Sequence, residues 1–444
     1  MKTKEELKKE VQRAMDARRD EIDRVTERLL KGCELGFREY KTAKYLNELY
    51  EKMGYKFERG LALTGMKSIV EGKAGSGPRI AVIGELDGLP IPDHPDANPE
   101  TGAVHACGHN AQSAMVVAIA MALKDTDIMD YLSGSVALFH VPAEELAELD
   151  FRLNLIKEGK LQYLVGKPEM MRLGSFDDID MAMMVHNTGA DMKFGIGCTL
   201  NGSFIKSVTY YGKAAHAATY PQWGINALNA AGIAFNGIHA QRETFRDEDA
   251  VRIHWILSEG GMGVNVIPSE TQIDMMVRAK ETTPLADANM KVDRALKAGA
   301  MAVGARVRIE TRPGTGATLL YPELDDVFKE NGELLMGEGS VEKMPHKTGS
   351  TDLGDLSQIM PAIMPFIGGA IGQGHQTDFH IGDIDNSVIM PAKAMAMSLI
   401  DLLYDGASKG NQILENSNPP MTKDQYLNFL SGINKVEEFD PESM

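Results

Sequence analysis

The chain has 444 residues, with 46 Lys and Arg against 63 Asp and Glu, and a formal charge of −17 at pH 7. That length exceeds what one hydrophobic core holds and predicts two domains, one inserted into the other. The acidic balance argues against a nucleic-acid or anionic-membrane surface. Three cysteines, Cys33, Cys107 and Cys198, stand at unrelated spacings; this excludes a disulfide framework and a four-cysteine zinc knuckle, and fits a reducing cytoplasm. The first residues are charged rather than apolar, and no later run reads as a membrane span, so neither export nor membrane embedding is expected.

In chain order, Leu7, Val11, Met15, Ile22, Val25 and Leu29 share one helical face over residues 3–35, with Gly36 placed to end the helix. A second amphipathic helix is expected over 41–53. Residues 79–84 form a short apolar run of the kind buried in parallel sheets, and Glu85-Leu86-Asp87 follows directly. A loop rich in Pro, Asp and Asn over 91–102 leads to His105-Ala106-Cys107-Gly108-His109-Asn110 and a helix over 111–123. Two more buried strands are expected at 135–141, ending in Pro142-Ala143-Glu144-Glu145, and at 179–185, ending in His186-Asn187.

From residue 197 the pattern changes to alternation. Strands at 203–211, 251–257, 271–279 and 306–311 and helices at 224–240 and 286–303 give the order β-α-β-β-α-β, a ferredoxin-like unit over 197–311. Beyond it lie a helix over 322–335, the polar loop 348–355, an apolar run at 362–368, and Gly374-His375-Gln376-Thr377-Asp378-Phe379. A helix over 389–404 and a polar surface tail with one short helix at 423–430 complete the chain. The fold class is therefore α/β: a mostly parallel-sheet domain from 1–196 and 312–444, carrying the insert.

In an open α/β sheet, ligands collect beyond the carboxyl ends of the strands. Asp87, Glu144, Glu145, His186 and His375 all follow predicted strands, and Cys107 and His109 sit between a strand and a helix. Singly, each is as well explained as a buried Cys or a surface His or Glu; together they suit borderline divalent ions, with Zn or Mn favoured over Co or Ni, and a donor shared between two ions. Adjacent glutamates on extended backbone point in different directions. One can ligate while the other takes a proton from a metal-bound water.

Five segments resemble the successive signatures of the metal-dependent aminoacylase and carboxypeptidase family, nearest its amidohydrolase branch: His105-Ala106-Cys107-Gly108-His109, Pro142-Ala143-Glu144-Glu145, Gly212-Lys213-Ala214-Ala215-His216-Ala217, Asn265-Val266-Ile267-Pro268 and Gly349-Ser350-Thr351-Asp352. That branch includes hydrolases of auxin conjugates, aminobenzoyl-glutamate and N-acyl amino acids. The resemblance runs in order over residues 37–403. It implies a zinc-peptidase-like catalytic domain in which Cys107, His109, Glu145, His186 and His375 hold a metal pair, Glu144 is the base and Asp87 orients a ligating His. It implies also that the insert is a lid and dimerisation domain. There His216 would reach the neighbouring subunit to stabilise an oxyanion, and Asn265 and Arg278 would grip a substrate carboxylate.

The chain departs from the branch where Asn110 and Gln112 replace an Asp and a His, and where Glu85 begins the segment commonly written Asp-Met-Asp-Ala-Leu-Pro. His380 is an alternative to His375. The expected function is metal-dependent hydrolysis of an amide bond in an N-acyl or N-aroyl amino acid or small peptide-like substrate, by a homodimeric cytoplasmic enzyme. Hydrolysis of a carbamoyl or amidine C–N bond and a non-catalytic binding role are the alternatives.

Overall fold

The computed structural model describes residues 2–189 and 191–443. Two compact units emerge. The first comprises Met1–Cys198, Leu319–His346 and Asp355–Pro420; the second comprises Thr199–Thr318, Lys347–Gly354 and Met421–Met444.

In the first unit a six-stranded sheet runs in the order Glu58–Leu61, Gly65–Glu71, Ser133–Val141, Gly75–Glu85, Met181–Met183, Ala362–Ile363. The first two pairings are antiparallel and the last three parallel. The apolar run expected at 79–84 is thus the inner part of a longer central strand, with Glu85 opposite Val141 at its carboxyl end. Helix His109–Asp125 packs against that strand and is buried on every face from His109 to Leu123. Such closeness requires Gly84, where a Cβ would stand 2.8 Å from Ser113 Cα.

The N-terminal amphipathic run forms two helices, Lys4–Ala17 and Arg19–Lys31, separated at Arg18 (φ −100°, ψ 8°) and ending at Gly32 rather than Gly36. Both keep the predicted apolar face inward, against helix His109–Asp125. The strand expected at 179–185 divides. Met181–Met183 stays in the main sheet, whereas His186–Asn187 pairs in parallel with Phe366–Ile367 in a smaller four-stranded sheet.

One segment, Asp385–Asn416, is long and apolar enough to cross a membrane by length and composition, contrary to the sequence reading. Its most apolar window is 89% buried inside the protein, as in a core helix. Residues 404–407 break its helical backbone, so the expected helix over 389–404 is followed by a second one reaching Asn416, which buries Ile413 in what was read as surface tail.

The second unit has the predicted β-α-β-β-α-β order: Gly202–Tyr211, Ala227–Gln241, Arg252–Glu259, Glu270–Ala279, Thr282–Val303, Arg306–Pro313. Its antiparallel sheet gains a fifth strand, Lys435–Phe439, which pairs with Arg306–Pro313. The tail from Met421 and the loop Lys347–Gly354 therefore belong to this unit, whereas the sequence assigned both to the catalytic part.

Candidate metal centre

The site grows from the carboxyl ends of the parallel strands. Beyond Glu85, the Asp87 carboxylate accepts the Glu144 N–H on Oδ1 (3.1 Å) and the Glu145 N–H on Oδ2 (3.0 Å). One buried carboxylate thereby fixes the backbone that carries both glutamates. Gly108 (φ 86°, ψ 15°) turns the chain into helix His109–Asp125, so His109 is its first residue and Cys107 lies just before it. His109 Nδ1–H donates to the Asp87 carbonyl (2.9 Å), and His186 Nδ1–H donates to the Asn187 carbonyl (2.7 Å). Each bond sets the tautomer that leaves Nε2 free to coordinate.

His375 arrives from the far end of the chain at φ 68°, held by its N–H donating to the Ala106 carbonyl (2.8 Å). Its Nε2 lies 3.3 Å from Glu145 Oε1, and Cys107 Sγ lies 3.3 Å from His186 Nε2. His380 is exposed and turned to the Asp378 carbonyl (3.1 Å).

Two donor groups result, Cys107 with His109 and His186, and Cys107 with Glu145 and His375; within each the ligand atoms lie within 4.8 Å of one another. Cys107 belongs to both. A third such group joins Glu85, His109 and Glu144.

The electrostatics fit cations. The buried atoms Glu145 Oε1 and His109 Nε2 face ionisable neighbours, His375 Nε2 at 3.3 Å and Glu85 Oε2 at 3.0 Å, a clustering of buried donor atoms that a bound cation would offset. Burial and Glu145 push the Cys107 thiol up, but His186 and hydrogen bonds from both imidazoles outweigh them and bring it down to about 6. Hydrogen bonds to Cys107 and Glu145 push His375 up to about 11. Burial opposes ionisation of Glu145, yet His375 holds it down at about 2. Thiolate, imidazole and carboxylate in these proportions suit Zn or Mn in a paired site.

The structure brings Asp87, Cys107, His109, Glu144, Glu145, His186 and His375 together. His216, Asn265 and Arg278 lie in the second unit. There the exposed His216 accepts the Ala218 and Thr219 N–H groups on Nδ1 (3.3 and 3.1 Å), and the Asn265 carbonyl accepts the Ala217 N–H (3.0 Å). Arg278 sits half-buried on strand Glu270–Ala279, its Nε 2.7 Å from Met276 Sδ.

Three charged residues escaped the sequence reading: Glu39, Arg152 and Lys167. Lys167 is fully buried and ion-paired with Glu85. Gln112 takes a local role, its amide oxygen accepting the Glu85 N–H (3.2 Å), whereas the buried Asn110 side chain has no hydrogen-bond partner among the described residues.

A mostly parallel sheet whose carboxyl ends gather a thiol, three imidazoles and carboxylates around a shared donor defines a metal-dependent hydrolase. Residues 81–396 match peptidase family M20/M25/M40, and the chain belongs to that family. It is 30% identical to the Xaa-Arg dipeptidase of Mus musculus over 324 residues, covering 70% of this chain and 69% of that one. An IAA-amino acid hydrolase of Arabidopsis thaliana is 26% identical over 361 residues, covering 78% and 76%. A dinuclear metal binding peptidase from the M20 family of Bacillus subtilis shares the fold, with a TM-score of 0.66 at 20% identity over 87% of this chain and 99% of that one.

Proposed function

We propose that this chain hydrolyses the amide bond of an N-acyl or N-aroyl amino acid or a small dipeptide-like substrate, with Glu144 as the general base. The observation that carries this reading is the pair of donor groups sharing Cys107, with Glu144 beside His109. Cys107, His109 and His186 would hold one divalent ion, and Cys107, Glu145 and His375 the other. Bound there, Zn or Mn would polarise the amide carbonyl and make water acidic enough to ionise near neutral pH.

The protein's own groups supply the proton chemistry. Glu144, half-buried and fixed through its backbone by Asp87, takes the proton of the attacking water and returns it to the leaving amine. Asp87 also holds His109, whose Nδ1 lies 3.3 Å from Asp87 Oδ1. His216 of the partner subunit would donate to the oxyanion, and Asn265 and Arg278 would bind the substrate carboxylate. The support for His216 is that backbone N–H groups occupy its Nδ1, which places the proton on Nε2. This part of the proposal includes a homodimer formed through the second unit. A cytoplasmic setting fits three cysteines held as thiols.

The relatives act on Xaa-Arg dipeptides and amino acid conjugates by name, so the test panel contains both, together with N-acyl amino acids and aminobenzoyl-glutamate. Glu144→Gln should retain its metals and lose turnover on the order of 10²-fold or more, the usual contribution of a positioned base. Equal activity of wild type and variant with metal bound would refute the role of Glu144.

A further inference from the structure

Ala143, next to Glu144, holds a left-handed conformation (φ 55°) that L side chains rarely adopt. Something must hold it there, because relaxation at Ala143 would swing both glutamates away from the centre. The N–H groups of residues 143–145 go to two buried carboxylates: Glu39 Oε1 accepts from Ala143 (2.9 Å), and Asp87 accepts from Glu144 and Glu145. On the carbonyl side, Ala143 accepts the Gly166 N–H (3.2 Å) and Glu145 the Ala147 N–H (2.9 Å), and one side chain joins the two carbonyls.

Arg152, on helix Leu149–Lys157, is 1% exposed and the largest fully buried side chain of the protein's described residues. A buried arginine ordinarily faces a carboxylate. This one donates to backbone carbonyls, with Nη1 reaching Ala143 (3.3 Å) and Leu164 (2.5 Å) and Nη2 reaching Glu145. It spans the turn, bonding the residues on either side of Glu144. Burial pulls the pKa of its guanidinium down, and the neighbouring carboxylates of Asp87, Glu39, Glu145 and Glu144 offset only part of that. Gly36 makes room for it: a Cβ there would stand 2.4 Å from Arg152 Nη2 and 2.9 Å from Ala143 Cβ.

We propose that Arg152 is a positioning residue for the reaction: by bridging the carbonyls of Ala143 and Glu145 it holds the left-handed turn that directs Glu144 towards the substrate and Glu145 towards its metal. The inference rests on the roles given above to those two glutamates.

The test uses the full chain loaded with Mn2+, comparing wild type with Arg152→Lys and Arg152→Met, each alone and combined with Ala143→Gly. Lysine keeps the charge but cannot bridge two carbonyls with a fixed fork. Loss of aim predicts kcat lower on the order of 10²-fold with KM changed little, together with weaker retention of one of the two ions on dialysis. Glycine adopts positive φ freely, so adding Ala143→Gly should restore about tenfold of kcat, a recovery that a purely packing role would not give. If the Arg152 variants fail to fold, Gly36→Ala, whose Cβ presses on both the guanidinium and Ala143, should show the same loss of kcat. Folded Arg152 variants with wild-type kcat and metal content, a loss that Ala143→Gly leaves untouched, or a Gly36→Ala protein with wild-type kcat would each overturn the proposal. Turnover retained by Glu144→Gln would instead overturn the role of Glu144, and the metal-retention measurement would still report on Arg152.

Discussion

At position 85 the amidohydrolase branch commonly has Asp; the longer Glu85 places Oε2 3.0 Å from His109 Nε2 and pairs Oε1 with the buried Lys167. An ion pair that is 0% and 1% exposed gains little over an apolar pair but is costly to break on one side. Lys167→Met alone should therefore lower stability by about 3–5 kcal/mol, and the double variant Glu85→Gln with Lys167→Met should recover most of it. Chemical denaturation with EDTA present measures this; equal losses in the single and double variants would show that the pair is not coupled. The same contacts show what could be read beforehand. Cys107, His109, Glu144, Glu145, His186 and His375 were legible because each sits in a short motif that follows a strand or opens a helix. Glu39, Arg152 and Lys167 sit in no such motif. Glu39 reaches Ala143 across 104 residues and Lys167 reaches Glu85 across 82, and nothing local marks such pairings.

Helix Pro322–Met336 carries Asp325 in its first turn, where the helix dipole favours a negative charge. Burial outweighs the dipole: it pushes the Asp325 carboxyl from 3.8 up to about 7, against an opposing hydrogen bond from the Gly197 backbone. A pKa raised by folding means the native state holds the proton more tightly. The resulting stability is fully present below about pH 3.8 and is lost as pH rises through about 7. Measured against Asp325→Asn, which has no proton to lose, wild type should lose relative stability across that window. Melting curves that shift in parallel from pH 4 to pH 8 would contradict the assignment. At this scale periodicity located most helices and strands but missed local breaks. The apolar spacing from Leu7 to Leu29 runs through Arg18 without interruption, so it could not reveal two helices there. Lys435–Phe439 offers only Val436 and Phe439 as apolar residues, too few to mark a strand without its partner Arg306–Pro313.

For the molecule as a whole, the change from buried apolar runs to alternating strands near residue 197 marked the start of a second unit, because a two-faced buried sheet and a one-faced antiparallel sheet demand different residue patterns. What alternation could not show was that the last 24 residues, from Met421, return to that unit. The central claim concerns the other unit, where one thiolate serves both donor groups. Elemental analysis of protein dialysed against limiting chelator tests it directly. Wild type should hold two divalent ions per chain, and His186→Ala and His375→Ala should each lose one preferentially. Cys107→Ser should weaken both, because its sulfur belongs to each group. A Cys107→Ser protein that retains both ions as tightly as wild type, or a wild type that binds only one, would contradict the shared-thiolate centre.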